Sequence, residues 1–353
     1  MKVLHTIGSF VNGGIETLLT NVVNRQVANG DTVAIMVVTS KWSQEMLDML
    51  DSRVKVFYIN KPIGSHNPWY LLKLLYYYKN FEADVLHLHS PGSEKLFFPK
   101  NKNERRIVTI HNETIAIPFS NTVDQYIAIS QCVLDSFKAK TGHDNCVICY
   151  NGIEFNRFKR RKDYSDKPYR ILAVGRILFS VKAQDLIVQA VSKLPTAIRN
   201  EIHLDIWGYG KDTEKLNSLI GELNVENTIT LCGNVTNDFV AENLHKYDLL
   251  LCASHHEGLG ITAIEGMAAG VPLLLSDALG YVEVTENGEY GKHFKHSDAD
   301  AMKEAIISAY ENYSSICLTA QRSFEYAKKK FSIESYMMNL TEIYHTIDNY
   351  KKN

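Results

Sequence analysis

Two Rossmann-like α/β domains with parallel sheets are the fold this sequence predicts, on three observations. Short apolar, β-branched runs alternate with helical periods along the whole chain. The alternation occurs twice, with a charged, strandless stretch between the two series. Several runs also end in glycine-containing loops that open into helices, the arrangement in which a parallel sheet collects ligands at the carboxyl ends of its strands.

Taken in order, Lys2-Val-Leu-His-Thr-Ile7 reads as a first strand, followed by Asn12-Gly13-Gly14 and a helix from about Ile15 to Asn29. Leu18, Leu19, Val22, Val23 and Val27 fall there at helical spacing. Thr32–Val38, Val54–Ile59, Val85–Leu88, Arg106–Ile110, Gln125–Ile129 and Val147–Tyr150 read as further strands. A linker follows over about Asn151–Lys167, carrying the basic run Lys159-Arg-Arg-Lys162. The second series has strands at Tyr169–Val174, Ile202–Trp207, Ile229–Cys232, Asp248–Cys252 and Pro272–Leu275, with helices at Ala183–Leu194 and Thr213–Leu223. Ala301–Lys352 reads as helix throughout. Domains are expected over 1–155 and 156–331.

At 353 residues the chain is long for one core and comfortable for two. Its 45% hydrophobic and 22% charged content is that of an ordinary globular protein, and a net charge of −2 gives no reason to expect a nucleic-acid partner. No apolar run approaches the roughly 18 residues that cross a bilayer. The opening Met-Lys-Val-Leu-His-Thr-Ile-Gly reads as a strand rather than a signal peptide. Cys146 and Cys149 form a lone C-x-x-C inside a strand pattern, so a reducing cytoplasm is the expected location.

The most informative segment runs from Ser254 to Pro272. Glu257 lies in a glycine-bracketed loop, Gly258-Leu-Gly260, after the strand Asp248–Cys252, and Glu265 lies eight positions later inside an apolar helix. A helix starting near Gly260 or Ile261 would aim unpaired N–H groups and the positive end of its dipole forward, an anion site. Two carboxylates beside a phosphate suit hydroxyl groups flanking it, which is the layout of a nucleotide sugar. The plainer alternative is an ordinary strand–loop–helix unit with two capping glutamates.

The E-x7-E segment followed by Ala-Ala-Gly-Val-Pro272 resembles the signature of the retaining, nucleotide-sugar-dependent glycosyltransferases of family 4. Asn12-Gly-Gly-Ile-Glu16, Thr109-Ile-His111-Asn112, Tyr150-Asn-Gly-Ile-Glu-Phe-Asn-Arg-Phe158, Val174-Gly-Arg176, Lys182 and Gly208-Tyr-Gly210 continue the likeness in the family's order. The opening segment is most similar to the bacterial capsule, exopolysaccharide and lipopolysaccharide group. The resemblance implies the GT-B fold, two Rossmann-like domains with parallel sheets facing across an interdomain cleft. It also implies that the final helix, 332–353, crosses back to the first domain.

Site residues follow from the same resemblance. Arg176 and Lys182 would neutralise a departing diphosphate, a planar fork and a compact charge in place of a metal. Asp298-Ala-Asp300 has metal-motif spacing but lies past the core motifs, where capping of the next helix explains it; no metal and no other cofactor is expected. The family has glycine after the lysine, whereas this chain has Ala183, which puts the loop's shape in question. Glu265 would accept ribose hydroxyls. Glu257 would contact the transferred sugar and stabilise positive charge at its anomeric carbon, without acting as a nucleophile. Gly258, Gly260 and Ile261 would meet the donor through backbone, Gly208 would turn beside the nucleotide, and Val235 lies near where the base is read. Gly13 and Gly14 would allow close approach of a phosphate or acceptor; Glu16 is either a helix cap or part of the site. His111 would contact donor sugar or acceptor, and Asn112, where the family has aspartate, weakens any base role there.

The expected activity is retaining transfer from a nucleoside-diphosphate sugar, UDP-linked, to a saccharide or lipid-linked saccharide in surface polysaccharide assembly. The leaving phosphate would itself deprotonate the acceptor. The aromatic helix Asn67–Phe81 packs on the sheet or, alternatively, dips into lipid with Lys73, Lys79, Lys95, Lys100, Arg105 and Arg106 on anionic headgroups. That second reading adds peripheral contact at the inner face of the membrane. Two competitors remain: a nucleotide-sugar epimerase of similar shape, and a catalytically silent GT-B subunit that binds a partner transferase.

Overall fold

The computed structural model describes residues 1–112 and 120–350, the side chains of 347–350 apart. Two compact units are present. The first comprises Met1–Gly152 together with the chain from Ile333, and the second Ile153–Ser332. The boundaries therefore lie at 152/153 and 332/333, displaced from the expected 155/156 and 331/332. The displacement has a physical cause: Ile153 N–H donates to Phe331 O at 2.9 Å, and Phe155 packs edge-on against Phe324, fastening the linker's start to the second unit.

In the first unit seven strands form one sheet: β1 (Lys2–Ile7), β2 (Thr32–Thr39), β3 (Lys55–Lys61), β4 (Val85–Leu88), β5 (Arg105–Ile110), β6 (Gln125–Ala128) and β7 (Cys146–Ile148). All pair in parallel, in the order β3-β2-β1-β4-β5-β6-β7. Near-continuous Val, Ile and Leu in β1, β2 and β4 fits burial on both faces. One face carries Val3, Val85, Ile107 and Ile127. Leu18 and Val22 of the Gly14–Ala28 helix and Tyr336, Met337, Leu340 and Tyr344 of the final helix, Ile333–Tyr350, cover it. The final helix thus completes the first unit's core. Residues 351–353 of that expected helix lie outside the described residues.

The aromatic helix is Pro68–Phe81. Asn67 caps it by accepting from Trp69 N–H at 3.0 Å, and proline occupies its first position. Leu74, Tyr78 and Phe81 are buried, while Trp69, Leu72 and Tyr76 are exposed. Its expected cationic rim is corrected. Arg105 and Arg106 are buried, because their strand β5 lies inside the sheet. Arg106 pairs with buried Glu104 at 2.9 Å and also donates to Phe97 O and Tyr78 Oη. Lys100 pairs with Asp124 at 2.5 Å and Lys79 donates to Pro99 O at 2.6 Å, so neither is a free headgroup contact.

The second unit has six parallel strands: β8 (Arg170–Val174), β9 (His203–Trp207), β10 (Ile229–Gly233), β11 (Leu249–Cys252), β12 (Leu273–Ser276) and β13 (Lys292–Phe294), in the order β10-β9-β8-β11-β12-β13. The linker is docked rather than free: Arg161 pairs with Asp248 at 2.5 Å and Arg160 lies over the Phe324 ring. Expected helix Ala183–Leu194 is instead a short turn, Phe179–Lys182, and a helix, Gln184–Ser192, divided at Ala183. The C-terminal helical stretch likewise divides into Ala299–Glu311, Tyr313–Phe331 and Ile333–Tyr350.

The Glu104–Arg106 pair generates a stability prediction. Arg106→Met leaves a fully buried carboxylate without its cation and should cost about 3–5 kcal/mol in urea denaturation. Adding Glu104→Leu should recover much of that loss. A single-variant cost below about 1 kcal/mol would show that the pair is not the anchor described.

Candidate active site

In the second unit the sheet order turns outward in both directions from β8 and β11, which are paired neighbours. The loops after their carboxyl ends therefore open beside each other, the usual ligand position in an open parallel sheet. After β8 comes Gly175, at φ +149°, with the Lys182 stem lying 3.7 Å from where a Cβ would stand. From there the Lys182 ammonium reaches Glu257, its Nζ 2.6 Å from Oε2 in the loop after β11. Ser254 Oγ donates to the same oxygen at 3.3 Å. Two sequence-predicted residues 75 positions apart are thus in direct contact. Ala183, where glycine was expected, adopts the left-handed conformation at φ 52°. The loop keeps a glycine-like path, at a steric cost of about 1–2 kcal/mol for a residue with a Cβ.

Glu257's loop ends at Gly260, also left-handed, at φ +85°. A Cβ there would stand 2.7 Å from the Tyr281 ring, so glycine is required by conformation and by space. The helix Ile261–Ala269 starts at the next residue. Glu265 lies one turn in, partly buried, and its carboxylate accepts no hydrogen bond among the described residues. Burial pushes its carboxyl up to about 7, against the pull of Arg157 and Lys182. Arg176 is exposed, and its guanidinium makes no ion pair among the described residues.

The loop after β9 closes on the loop after β8. A Cβ on Gly208 would stand 2.0 Å from Gly175 O, and one on Gly210 2.1 Å from Ile177 O. Gly208 N–H donates to Gly233 O at 2.7 Å, which brings the segment carrying Val235 alongside. Gly208, Arg176, Lys182, Glu257, Gly258, Gly260, Ile261, Glu265 and Val235 all belong to the carboxyl edge of this one sheet or to the helix that leaves it. Asp298 caps its helix by accepting from Asp300 and Ala301 N–H groups, while Asp300 pairs with Lys193.

Gly13, Gly14 and His111 belong to the first unit. Gly13 and Gly14 start the Gly14–Ala28 helix, and the Glu16 carboxylate lies 2.4 Å from where a Gly13 Cβ would be. His111 follows β5 and receives a stacked neighbour, His89, 3.3 Å away between ring nitrogens. Sequence reasoning missed Arg157, Ser254 and Tyr281 around the glutamates, and His5, His87 and His89 behind His111. The repeat His87-x-His89 was the available signal, since alternate strand residues share a face. Burial pushes the Cys146 and Cys149 thiols up to about 12, away from reactive thiolates.

Residues 154–330, half of the chain, match the family described as glycosyl transferases group 1, and residues 12–157 match Glycosyltransferase Family 4. The protein belongs to the glycosyl transferases group 1 family. It is 32% identical over 168 residues to the O-antigen biosynthesis glycosyltransferase WbnH of Escherichia coli, covering 48% of this chain and 44% of that protein. It is 25% identical over 290 residues, 75% of each chain, to the N-acetyl-alpha-D-glucosaminyl L-malate synthase of Bacillus anthracis. The crystal structure of Anabaena HepE in complex with UDP and glucose is similar at TM-score 0.78 and 18% identity, over 97% of this chain and 99% of that one. The two sheets and their order are thus those of the GT-B fold. The chain spans between about two fifths and two thirds of the length of several curated relatives.

The elevated Glu265 pKa has a definite sign for stability. The folded state holds its proton up to about pH 7, against an ordinary value of 4.5. Folded protein therefore binds more protons than unfolded protein in that window, and stability falls as pH rises through it. Glu265→Gln should raise stability at pH 8 more than at pH 5 in urea denaturation. An equal effect at both would remove Glu265 as the source of the slope.

Proposed function

We propose that the protein is a retaining glycosyltransferase that moves a sugar from a UDP-linked donor to a saccharide or lipid-linked saccharide acceptor in surface polysaccharide assembly. The observation that carries this reading is the Lys182–Glu257 contact at the β8/β11 edge, with Glu265 one turn into the helix that follows the Glu257 loop. Lys182 and Arg176 supply mobile positive charge, and the N–H groups at the start of the Ile261–Ala269 helix supply fixed partial charge. Together they suit a pyrophosphoryl leaving group whose charge grows as the glycosidic bond breaks. Before donor binds, Glu257 neutralises Lys182. Diphosphate oxygens would compete for that ammonium and free Glu257 to accept a sugar hydroxyl. Glu265 is suited to accept the ribose hydroxyls.

No step here needs a carboxylate nucleophile. The leaving phosphate oxygen takes the acceptor's proton as the new bond forms on the face from which it departs, which retains configuration. Metal independence follows from the same charge set and is part of the proposal. UDP is favoured because HepE binds UDP and glucose, and polysaccharide assembly because WbnH is an O-antigen biosynthesis enzyme. His111 would contact the donor sugar or the acceptor. The exposed Trp69, Leu72 and Tyr76 are suited to peripheral contact with a cytoplasmic membrane face, and no helix among the described residues is long and apolar enough to cross one.

Thermal-shift measurements against UDP, GDP, ADP and their sugars test the donor class, with UDP expected to stabilise. Lys182→Ala and Glu265→Ala should each lower kcat/KM for donor by at least about tenfold, or about 1.4 kcal/mol. Added EDTA should leave turnover intact. Unchanged kinetics in both variants would reject the site; loss of turnover with chelator would reject metal independence.

A further inference from the structure

A row of histidines lies behind His111 on one face of the first unit's sheet. Parallel register sets His5 of β1 opposite His87 of β4, and His89 continues that face two residues on. His5, His87 and His89 are buried, and neighbouring rings stack or tilt at centroid distances of 4.5–5.6 Å. Ring nitrogens connect them end to end: Gln26 Oε1 to His5 Nε2 at 2.9 Å, His5 Nδ1 to His89 Nε2 at 3.2 Å, and His89 Nδ1 to His111 Nε2 at 3.3 Å. The last atom, His111 Nδ1, is enclosed and has no partner among the described residues.

Alongside that row the Tyr344 hydroxyl lies 2.6 Å from His87 Nδ1, and His87 Nε2 lies 2.7 Å from Thr109 Oγ1. Gln26, at the head of the row through His5, is itself buried.

A chain of neutral imidazoles has one donor and one acceptor per ring, so its polarity is set by whatever holds its end. With Gln26 Oε1 facing His5, His5 donates through Nε2–H and accepts at Nδ1. His89 does the same, and His111 donates through Nε2–H. His111 Nδ1 is then a bare lone pair. Turning the amide over reverses every hydrogen and leaves an enclosed, unpaired N–H on His111. The first polarity is favoured, because orphaned buried N–H groups are rarer and costlier than under-used acceptors.

We propose that Gln26 is a positioning residue that, relayed through His5 and His89, fixes His111 in its Nε2–H tautomer and so leaves the enclosed Nδ1 a bare acceptor. Neutrality of the rings, which the relay requires, agrees with their burial: burial lowers His5 and His111 to about 4 and holds His87 and His89 well below the ordinary imidazole value. A metal held by His5, His87 and His89, whose nitrogens lie within 4.8 Å of one another, would need these same lone pairs and no carboxylate is among the cluster to balance its charge.

The test is 15N NMR of histidine-labelled protein at pH 8, with the His111 signals assigned from their loss in His111→Asn. Wild-type protein should show His111 as the Nε2–H tautomer alone. Gln26→Leu, which removes the acceptor at the head of the row, should give both tautomers. His5→Phe breaks the row between Gln26 and His89, so it too should show the Nδ1–H form; it decides the matter if Gln26→Leu does not fold. A wild-type Nδ1–H signal, a single unchanged tautomer in the folded variants, or imidazole shifts on adding Zn2+ alone would overturn the proposal. None of these readouts uses a donor. Absent UDP binding or turnover would instead count against the transferase reading.

Discussion

Parallel pairing is the constraint on which both candidate sites depend. In a sheet whose strands all run the same way, every strand ends on one edge. Residues far apart in sequence are then delivered to that edge by register alone. β8 and β11 are neighbours although five α-helices and two strands separate them in the chain. That adjacency, not local sequence, lets Lys182 meet Glu257. β1 and β4 are neighbours for the same reason, and His5 meets the His87–His89 pair there. In each unit the chemistry-bearing residues gather where the strand order turns outward in both directions.

The close backbone packing of the second unit's loops follows from this geometry. Several loops crowd a single edge, so Gly208 and Gly210 touch carbonyls of the preceding loop at distances no Cβ tolerates. The same crowding encloses Glu265 and disfavours its ionised form, while Lys182 and Arg157 act in the opposite direction. A carboxylate balanced near neutrality in this way responds strongly to new hydrogen-bond donors, since each donor favours its charged form. A partly desolvated acid beside a mobile cation suits a ligand that brings both hydroxyls and negative charge.

Much of this architecture was legible in the sequence because it is written in local patterns. The apolar β-branched runs give twelve of the strands to within a residue or two, and Gly258-Leu-Gly260 marks the loop that opens into the Ile261–Ala269 helix. What was not legible depended on partners distant in sequence. β13 is three residues long with a single buried apolar residue, too short for a period. Ala183 reads as helix because alanine is the best helix former, yet the chain turns left-handed there. Arg105 and Arg106 read as surface cations because charge is visible in a sequence and burial is not; Glu104, Tyr78 and Phe97 make their interior position tolerable for Arg106. His111 was visible only by its place in a motif, and the three rings behind it came from two other strands, His5 from β1 and His87 and His89 from β4 and the residue after it.

The two edges offer different chemistry, and burial explains the difference. On the first unit's sheet the histidines are enclosed with neutral partners only: an amide, a hydroxyphenyl group, a threonine hydroxyl and one another. Charge there would be costly, so selectivity has to come from the direction of hydrogen bonds. On the second unit's sheet Lys182 and Glu257 sit where solvent still reaches them, and the force between them is Coulombic. A neutral edge suits recognition by hydrogen-bond direction, and a charged edge suits an anion. Rotating a buried amide changes the first without altering the second, which is why the His111 tautomer and any anion affinity of the charged edge should vary independently.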